Sequence, residues 1–113
     1  MSIKIISFNI RGLGDSKKRK IIKDWIRYCN ADIYFFQETK IGFDKIKDWL
    51  FSLKLWNWVY SNGNSYKGGL LTLVHKSILY NILHKSSNCH MISININNTK
   101  TTISNIYGTP NSG

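Results

Sequence analysis

Apolar and polar positions in the first part of the chain change from strand spacing to helical spacing and back. Residues 3–9 alternate and are apolar on both faces, which predicts a first strand ending near Asn9. Ser16 can cap a helix over residues 17–29, because an apolar stripe recurs there at helical spacing opposite a basic face. Residues 32–37 are apolar enough for a buried second strand. A strand, a helix and a strand in this order predict a right-handed βαβ unit with parallel strands.

The spacing returns to that of strands after one more helix, which is predicted over residues 43–53. Beyond it, short alternating runs separated by polar turns predict a β-meander, with Asn97 and Asn98 in its last turn. The predicted strands cover residues 56–60, 70–75, 92–96 and 101–107, with a weaker candidate at 78–83. The chain is therefore predicted to be an α/β (α+β) domain, or part of one, with a mixed sheet.

The chain is strongly basic, which bears on its partner. Its 113 residues include 16 Lys and Arg against 6 Asp and Glu, a formal net charge of +10. Such an excess attracts polyanions, so a nucleic acid or an anionic surface is one interpretation, and a compositional bias toward Lys, Asn and Ile is the other. The basic cluster at residues 17–20 also has two interpretations. It either contacts phosphates or directs nuclear localisation, or it is simply a solvated helix face.

The remaining composition favours a soluble intracellular protein, with the nucleus as one option. Hydrophobic residues make up 42% of the chain, enough for a folded core. Cys29 and Cys89 have neither metal-ligand spacing nor the density of a disulfide scaffold, which fits a reducing compartment. No signal peptide is predicted, because the N-terminal apolar run is short and a basic cluster follows it. No apolar run approaches the ~20 residues that span a bilayer, so no membrane association is expected.

Two oxygen-bearing side chains end the first two predicted strands, Asn9 and Glu38. Because parallel strands deliver their carboxyl ends to one edge of a sheet, this amide and carboxylate should lie side by side. Mg²⁺ suits such a pair, since it takes one or two carboxylates and completes its shell with water and substrate phosphate. On the residues alone the alternative stays open, a solvated glutamate and a turn-forming asparagine.

Three motifs in chain order carry a family resemblance. They are residues 7–13 (Ser-Phe-Asn-Ile-Arg-Gly-Leu), 37–40 (Gln-Glu-Thr-Lys) and 105–111 (Asn-Ile-Tyr-Gly-Thr-Pro-Asn), with a glycine-led strand from residue 67. Together they resemble successive motifs of the endonuclease/exonuclease/phosphatase family. The chain looks most similar to the apurinic-type endonucleases of non-long-terminal-repeat (LINE-type) retrotransposons, and next to apurinic/apyrimidinic (AP) repair endonucleases.

This resemblance implies a fold, a cofactor and roles for single residues. The fold would be the N-terminal half of a four-layer α/β/β/α sandwich. Glu38 would bind Mg²⁺ or Mn²⁺ together with Asn9, Tyr107 would direct its hydroxyl at the scissile phosphate, and Asn111 would lie near that pocket. For Tyr107 a packed strand-end aromatic is the alternative. DNA phosphates are the implied partner, contacted by basic residues that the sequence offers as candidates: Arg11, Lys17, Lys18, Arg19 and Lys40.

The sequence departs from the family pattern in three respects. Arg11 stands where repair enzymes carry an acid, and a guanidinium cannot ligate a metal but can meet a phosphate. The usual Tyr-x-Pro-Asn is one residue longer between Tyr107 and Asn111, which puts Asn111 out of register. The family's Asp-x-Asn and Asp-His motifs do not occur. The chain, residues 1–113, is therefore expected to be a partial domain without the C-terminal half.

A partial domain of this kind would have both catalytic and structural consequences. With one carboxylate and no general base, little turnover is expected. The histidines, expected at the surface or in strands, match no family motif: His75, His84 and His90. The inner sheet face, including Phe8, Phe35 and Leu71, is expected to lie in water, at a cost of several kcal/mol. Self-association through that face would relieve this cost.

Three functions stay open at this stage. The first is part of a Mg²⁺-dependent DNA endonuclease that hydrolyses phosphodiester bonds. The second is a non-catalytic retroelement relic or nucleic-acid-binding fragment, and the third is a phosphatase or phosphodiesterase acting on small molecules or lipids. The basic balance and residues 9–13 favour DNA over lipid. Lesion dependence and the salt dependence of binding separate these functions.

Overall fold

The computed structural model describes residues 2–108. This part of the chain contains two helices and seven strands, in an order that begins β-α-β. The strands are β1 (Ile5–Asn9), β2 (Ile33–Gln37), β3 (Trp56–Gly63), β4 (Gly68–His75), β5 (Tyr80–Lys85), β6 (Cys89–Ile96) and β7 (Thr99–Ile106), and the helices are α1 (Ser16–Cys29) and α2 (Phe43–Ser52). The predicted α/β class, with its βαβ start and β-meander, is confirmed.

The first sheet has four strands in the order β1-β2-β4-β3. β1 and β2 run in parallel, with Asn9 opposite Gln37, as the crossover through α1 predicts. β4 pairs antiparallel with both β2 and β3, so the sheet is mixed. β1 lies at the edge of this sheet, which leaves Phe8 45% exposed although its ring contacts Trp25 of α1.

The second sheet has three antiparallel strands in the order β5-β6-β7. Asn97 and Asn98 join β6 to β7 with φ values of 51° and 66°. Both values lie in the left-handed region that two-residue hairpin turns need and that asparagine tolerates better than most residues. The predicted turn is therefore confirmed.

Both faces of β2 are buried, and they belong to two different parts of the core. Tyr34 and Phe36 face the helices. Ile33 and Phe35 face the second sheet. The helix-side core also includes Ile22 and Ile26 of α1, Ile46 and Leu50 of α2, and Leu71 and Leu73 of β4; the core between the sheets includes Val74, Ile92 and Ile94.

The expectation that the inner face lies in water is wrong for Phe35 and Leu71. Phe35 is 7% exposed and Leu71 is 0% exposed. Leu71 packs on the helix side, and Phe35 is covered because β6 brings Ile92 and Ile94 against the other side of the sheet. The helices on one side and the second sheet on the other therefore bury Leu71 and Phe35, whereas Phe8 at the edge stays 45% exposed.

The N-terminal cap of α1 differs from the prediction by one residue. Asp15 has an extended backbone and its side chain accepts a hydrogen bond from Lys17 N at 2.9 Å. Ser16, predicted as the cap, is the first helical residue. Aspartate and serine are both good caps, so the sequence alone does not separate neighbouring candidates.

Replacing Asp15 with alanine is expected to lower the free energy of unfolding by about 1 kcal/mol, because Lys17 N loses its partner and the helix dipole loses a neighbouring anion. Urea unfolding followed by circular dichroism measures this change. Ser16→Ala is the matched control and should leave the midpoint nearly unchanged. An equal loss in both variants would contradict the assignment of Asp15 as the cap.

No helix within residues 2–108 is long and apolar enough to cross a membrane.

Candidate functional site

The carboxyl ends of β1 and β2 bring Asn9 and Glu38 into direct contact. Asn9 Nδ2 donates a hydrogen bond to Glu38 Oε2. Asn9 Oδ1 accepts from Arg11 N at 3.1 Å, which fixes the orientation of the amide. Because its oxygen is already engaged and its nitrogen faces the carboxylate, the geometry favours Asn9 as a residue that orients Glu38 over a direct metal ligand.

The segments that follow β1 and β2 are joined by backbone hydrogen bonds. Ile10 N donates to Gln37 O at 2.9 Å and Gly12 N to Glu38 O at 2.6 Å, and Leu13 N continues the ladder. The pairing therefore extends beyond the strands and fixes the backbone on which Glu38 stands.

A third segment, the start of β4, supports the same loop from the other side. Thr39 N donates to Gly69 O at 3.3 Å, and Lys40 N donates to Gly68 O at 2.8 Å. The Thr39 hydroxyl is hydrogen-bonded to Tyr60 Oη at 2.7 Å, and Tyr60 Oη also donates to Ile41 O. Burial raises the pKa of Tyr60, so this hydroxyl stays a neutral donor. Glu38 is thus held from β1, β3 and β4.

Left-handed backbone is concentrated at this edge of the sheet. Arg11, Glu38 and Lys40 have φ values of 54°, 58° and 53°. Residues other than glycine rarely adopt such values, and they persist where surrounding structure imposes them, often at functional sites. The neighbouring hydrogen bonds are what imposes them here.

Glu38 is the carboxylate that this site offers. Its Oε1 lies 3.9 Å from Lys40 Nζ, and its side chain is partly exposed. Within residues 2–108 there is no group of three or more His, Cys, Asp or Glu side chains that could hold a metal. One carboxylate oriented by an amide fits Mg²⁺ or Mn²⁺ when water and substrate phosphate complete the shell, and does not fit a soft metal.

Tyr107 directly follows β7 of the second sheet and lies near Gly68 and Gly69 of β4. Its backbone N donates to Asn88 O at 2.9 Å. Its half-buried side chain borders a groove of about 490 Å³ that Gly68, Gly69 and Lys67 also line. Tyr107 therefore borders the same groove as Gly68 and Gly69, whose carbonyl groups accept hydrogen bonds from the loop that carries Glu38. Asn111, the other predicted site residue of this motif, lies outside the described residues.

Two of the predicted DNA-contacting cations donate hydrogen bonds to backbone carbonyl groups of the protein. Lys18 Nζ donates to Ile10 O, and Arg19 Nη1 donates to Leu13 O at 2.7 Å. Both bonds tie α1 to the loop that follows β1, which gives these side chains a structural role. Arg11 and Lys17 are exposed, and Lys40 is partly exposed beside Glu38.

A basic groove of about 690 Å³ adjoins the site at Lys40. Arg19 and Lys45 contribute further positive charge to its walls, and Asp44 contributes one carboxylate. The sequence offered Arg19 and Lys40 as candidates but gave no reason to include Lys45, whose place in the groove depends on how α2 packs.

Sequence reasoning missed the polar residues that lie between the sheets. His90 was expected in a strand or at the surface; it lies in β6 and is 1% exposed. Burial and the positive charge of Lys85 lower the pKa of His90 to about 4. Thr72 and Asn105 are also fully buried. The sequence carried a signal for Thr72, a polar residue within the apolar run of β4, but β6 and β7 contain several polar residues, so nothing singled out His90 or Asn105.

The order of elements and the polar strand ends place the molecule among the layered α/β folds that carry their sites at the carboxyl ends of strands. More narrowly, the sequence pattern of the Endonuclease/Exonuclease/phosphatase family matches residues 6–109. The chain belongs to this family. No curated protein matches the sequence.

Solved structures with this fold include enzymes of different kinds. They include an AP endonuclease from Leishmania major, 16% identical over 93% of this chain with a TM-score of 0.72. D. rerio TDP2 complexed with single-strand DNA product is 15% identical over 97% of the chain, with a TM-score of 0.68. A mannosyl-6-phosphatase from Bacteroides thetaiotaomicron is 15% identical over 91%, with a TM-score of 0.61. These identities establish the fold, and the chain spans 40%, 48% and 49% of the three structures.

Proposed function

We propose that the chain carries the Glu38 half of the active site of a metal-dependent phosphodiesterase that cleaves DNA, of the AP or retrotransposon endonuclease type. The observation that carries this proposal is the contact between Asn9 and Glu38 at the ends of two parallel strands. Glu38 is held there in a left-handed backbone conformation. The adjoining basic groove and the net charge of +10 support a polyanionic substrate.

Each residue of the site has a distinct task in this proposal. A divalent cation bound here would neutralise charge that develops on a phosphodiester. Glu38 would hold the cation, and Asn9 would keep the carboxylate turned toward it. Arg11 and Lys40 would meet flanking phosphates, and Tyr107 would donate its hydroxyl to a phosphate oxygen. Asn111 keeps its predicted place near that phosphate as part of the same proposal.

On its own the chain is expected to bind Mn²⁺ and DNA with little turnover. Within residues 2–108 Glu38 belongs to no group of three or more His, Cys, Asp or Glu side chains, so a general base beside it is not expected. The same observation favours the second candidate, a nucleic-acid-binding fragment without catalysis. Self-association to form a complete site also belongs to this proposal, since exposed apolar residues such as Ile5 and Ile106 lie on edge strands.

Replacing Glu38 with glutamine is expected to weaken Mn²⁺ binding by more than about tenfold, because the neutral amide does not supply the charge that a hard cation requires. Titration of purified chain with Mn²⁺, followed by water proton relaxation, measures the affinity. Asp48→Asn is the matched control, since it removes the same charge from an exposed position on α2. Equal Mn²⁺ affinity in wild type and Glu38→Gln would refute the site.

Nicking of a supercoiled plasmid and of an abasic duplex, with Mg²⁺ or Mn²⁺, then separates the candidate functions. If the chain binds DNA in a salt-dependent way but does not cleave it, the result supports the proposal that it carries the Glu38 half of the active site. Cleavage lost in Glu38→Gln would show that the chain is a complete endonuclease, alone or as a dimer. Hydrolysis of small phosphate esters without DNA binding would favour the phosphatase alternative.

A further inference from the structure

A continuous chain of buried polar side chains crosses the space between the two sheets. Five residues from five strands form it, and each is hydrogen-bonded to the next: Ser61 of β3, His90 of β6, Thr72 of β4, Asn105 of β7 and Gln37 of β2. Four of them are at most 9% exposed, and Gln37 is partly exposed at the end nearest the candidate site. Within residues 2–108 no buried side-chain polar atom lacks a partner.

The direction of each hydrogen bond follows from the first. Ser61 Oγ donates its only proton to Ser86 O at 2.9 Å, so it must accept from His90 Nε2 at 2.8 Å. Burial, with the charge of Lys85, lowers the pKa of His90 to about 4, so near pH 7 the ring is neutral and its one proton is on Nε2. Its Nδ1 is then an acceptor, and Thr72 Oγ1 must donate to it at 3.0 Å.

The same logic continues to the candidate site. Thr72 Oγ1 accepts from Asn105 Nδ2 at 3.1 Å, and the other Asn105 amide proton goes to Leu71 O at 3.0 Å. Asn105 Oδ1 accepts from Gln37 Nε2 at 2.9 Å, and Gln37 Nε2 also lies 3.0 Å from Ser7 Oγ on β1. Each hydrogen bond of this polar chain therefore has a defined donor and acceptor. Loss of any one of these hydrogen bonds leaves a buried polar group unpaired.

Gln37 connects this polar chain of side chains to the candidate site. It directly precedes Glu38, lies opposite Asn9 in the parallel pair, and its carbonyl oxygen accepts from Ile10 N at 2.9 Å. Its side chain bridges β1 and β7, which belong to different sheets. The Gln37 amide thus ties the strand ends that carry Asn9 and Glu38 to the second sheet.

We propose that Thr72, His90 and Asn105 are positioning residues, which hold Gln37 and thereby the Asn9–Glu38 pair in the geometry that binds a divalent cation. The idea rests on the proposed function for the identity of the bound group, but the positioning itself is a property of the fold. An interface held by apolar contacts alone would tolerate sliding of one sheet on the other. A directional polar chain resists sliding, because each donor must stay aligned with its acceptors.

Thr72→Val tests the proposal, since it keeps the shape of the side chain and removes the hydroxyl that links His90 to Asn105. Two readouts are needed: the NMR signals of the Asn9 side-chain amide in the absence of metal, and the Mn²⁺ affinity. Displaced or broadened Asn9 signals and an affinity about tenfold lower are expected. Thr72→Ser, which restores the hydroxyl, should return both readouts toward wild type.

Ile92→Val is the control for destabilisation without a broken hydrogen bond, because Ile92 is buried between the same sheets. It should leave the Asn9 signals in place. If Thr72→Val does not fold, Ser61→Ala is the second test, because it removes the hydrogen bond to His90 at the end of the polar chain opposite Gln37. It should move the Asn9 signals in the same direction by a smaller amount.

The outcomes separate this inference from the proposed function. Unchanged Asn9 signals in a folded Thr72→Val or Ser61→Ala variant would overturn the positioning role, as would equal shifts in Ile92→Val. Shifted Asn9 signals in a protein whose Mn²⁺ binding does not depend on Glu38 would support the positioning role and refute the metal site.

Discussion

Replacing Gly69 with alanine is expected to lower the free energy of unfolding by about 4 kcal/mol, which is a large part of the stability of a small domain. Gly69 has a φ of +94°, which strains any residue with a Cβ. A Cβ there would overlap Thr39 Oγ1 and lie 3.0 Å from Lys40 N. Thr39 is fully buried and hydrogen-bonded to Tyr60, so its side chain cannot turn aside without breaking that bond. Urea denaturation measures the loss.

Gly14→Ala is the matched control, because a Cβ at Gly14 would have no atom within 4 Å. Its free energy of unfolding should stay within about 0.5 kcal/mol of wild type. Gly69→Ala should also weaken Mn²⁺ binding, because displacement of Thr39 moves the adjacent Glu38. A Gly69→Ala variant as stable as Gly14→Ala would show that β4 does not pack against the 39–40 segment as closely as described.

Acidification is expected to destabilise the protein through His90 by about 3 kcal/mol in total between pH 7 and pH 4. Burial, with the charge of Lys85, lowers the pKa of the native His90 from 6.5 to about 4. Between these two values the unfolded chain binds a proton that the native state does not. The contribution of His90 is therefore complete above pH 6.5, is lost as the pH falls toward 4, and changes no further below that. Equilibrium unfolding at several pH values measures it.

His90→Gln isolates this effect, because an amide keeps one donor and one acceptor and does not titrate in this range. The decisive quantity is the change in unfolding free energy between pH 7 and pH 4, which should be smaller in His90→Gln than in wild type. His84→Gln is the control, since His84 is exposed on β5. An identical pH dependence in wild type and His90→Gln would refute a neutral, buried His90.

Local spacing was sufficient to predict most of the elements. β1, α1 and β2 were predicted because each has a clear apolar period, and the Asn97–Asn98 turn because asparagine accepts positive φ. β5 gave a weak signal because most of its residues are exposed, so apolar alternation is not required of them. The cap of α1 was misplaced by one residue because Asp15 and Ser16 have similar local preferences.

The sequence by itself determined the α/β class, the parallel start and the adjacency of Asn9 and Glu38, because two parallel strands joined by a helix must end at the same edge of a sheet. The tertiary structure decided which apolar faces are covered, the left-handed backbone of Glu38, and the approach of Gly69 to Thr39. It also decided the polar chain, whose contact between Gln37 and Asn105 joins residues 68 positions apart. These features depend on how the two sheets pack, and local spacing carries no information about contacts at that separation.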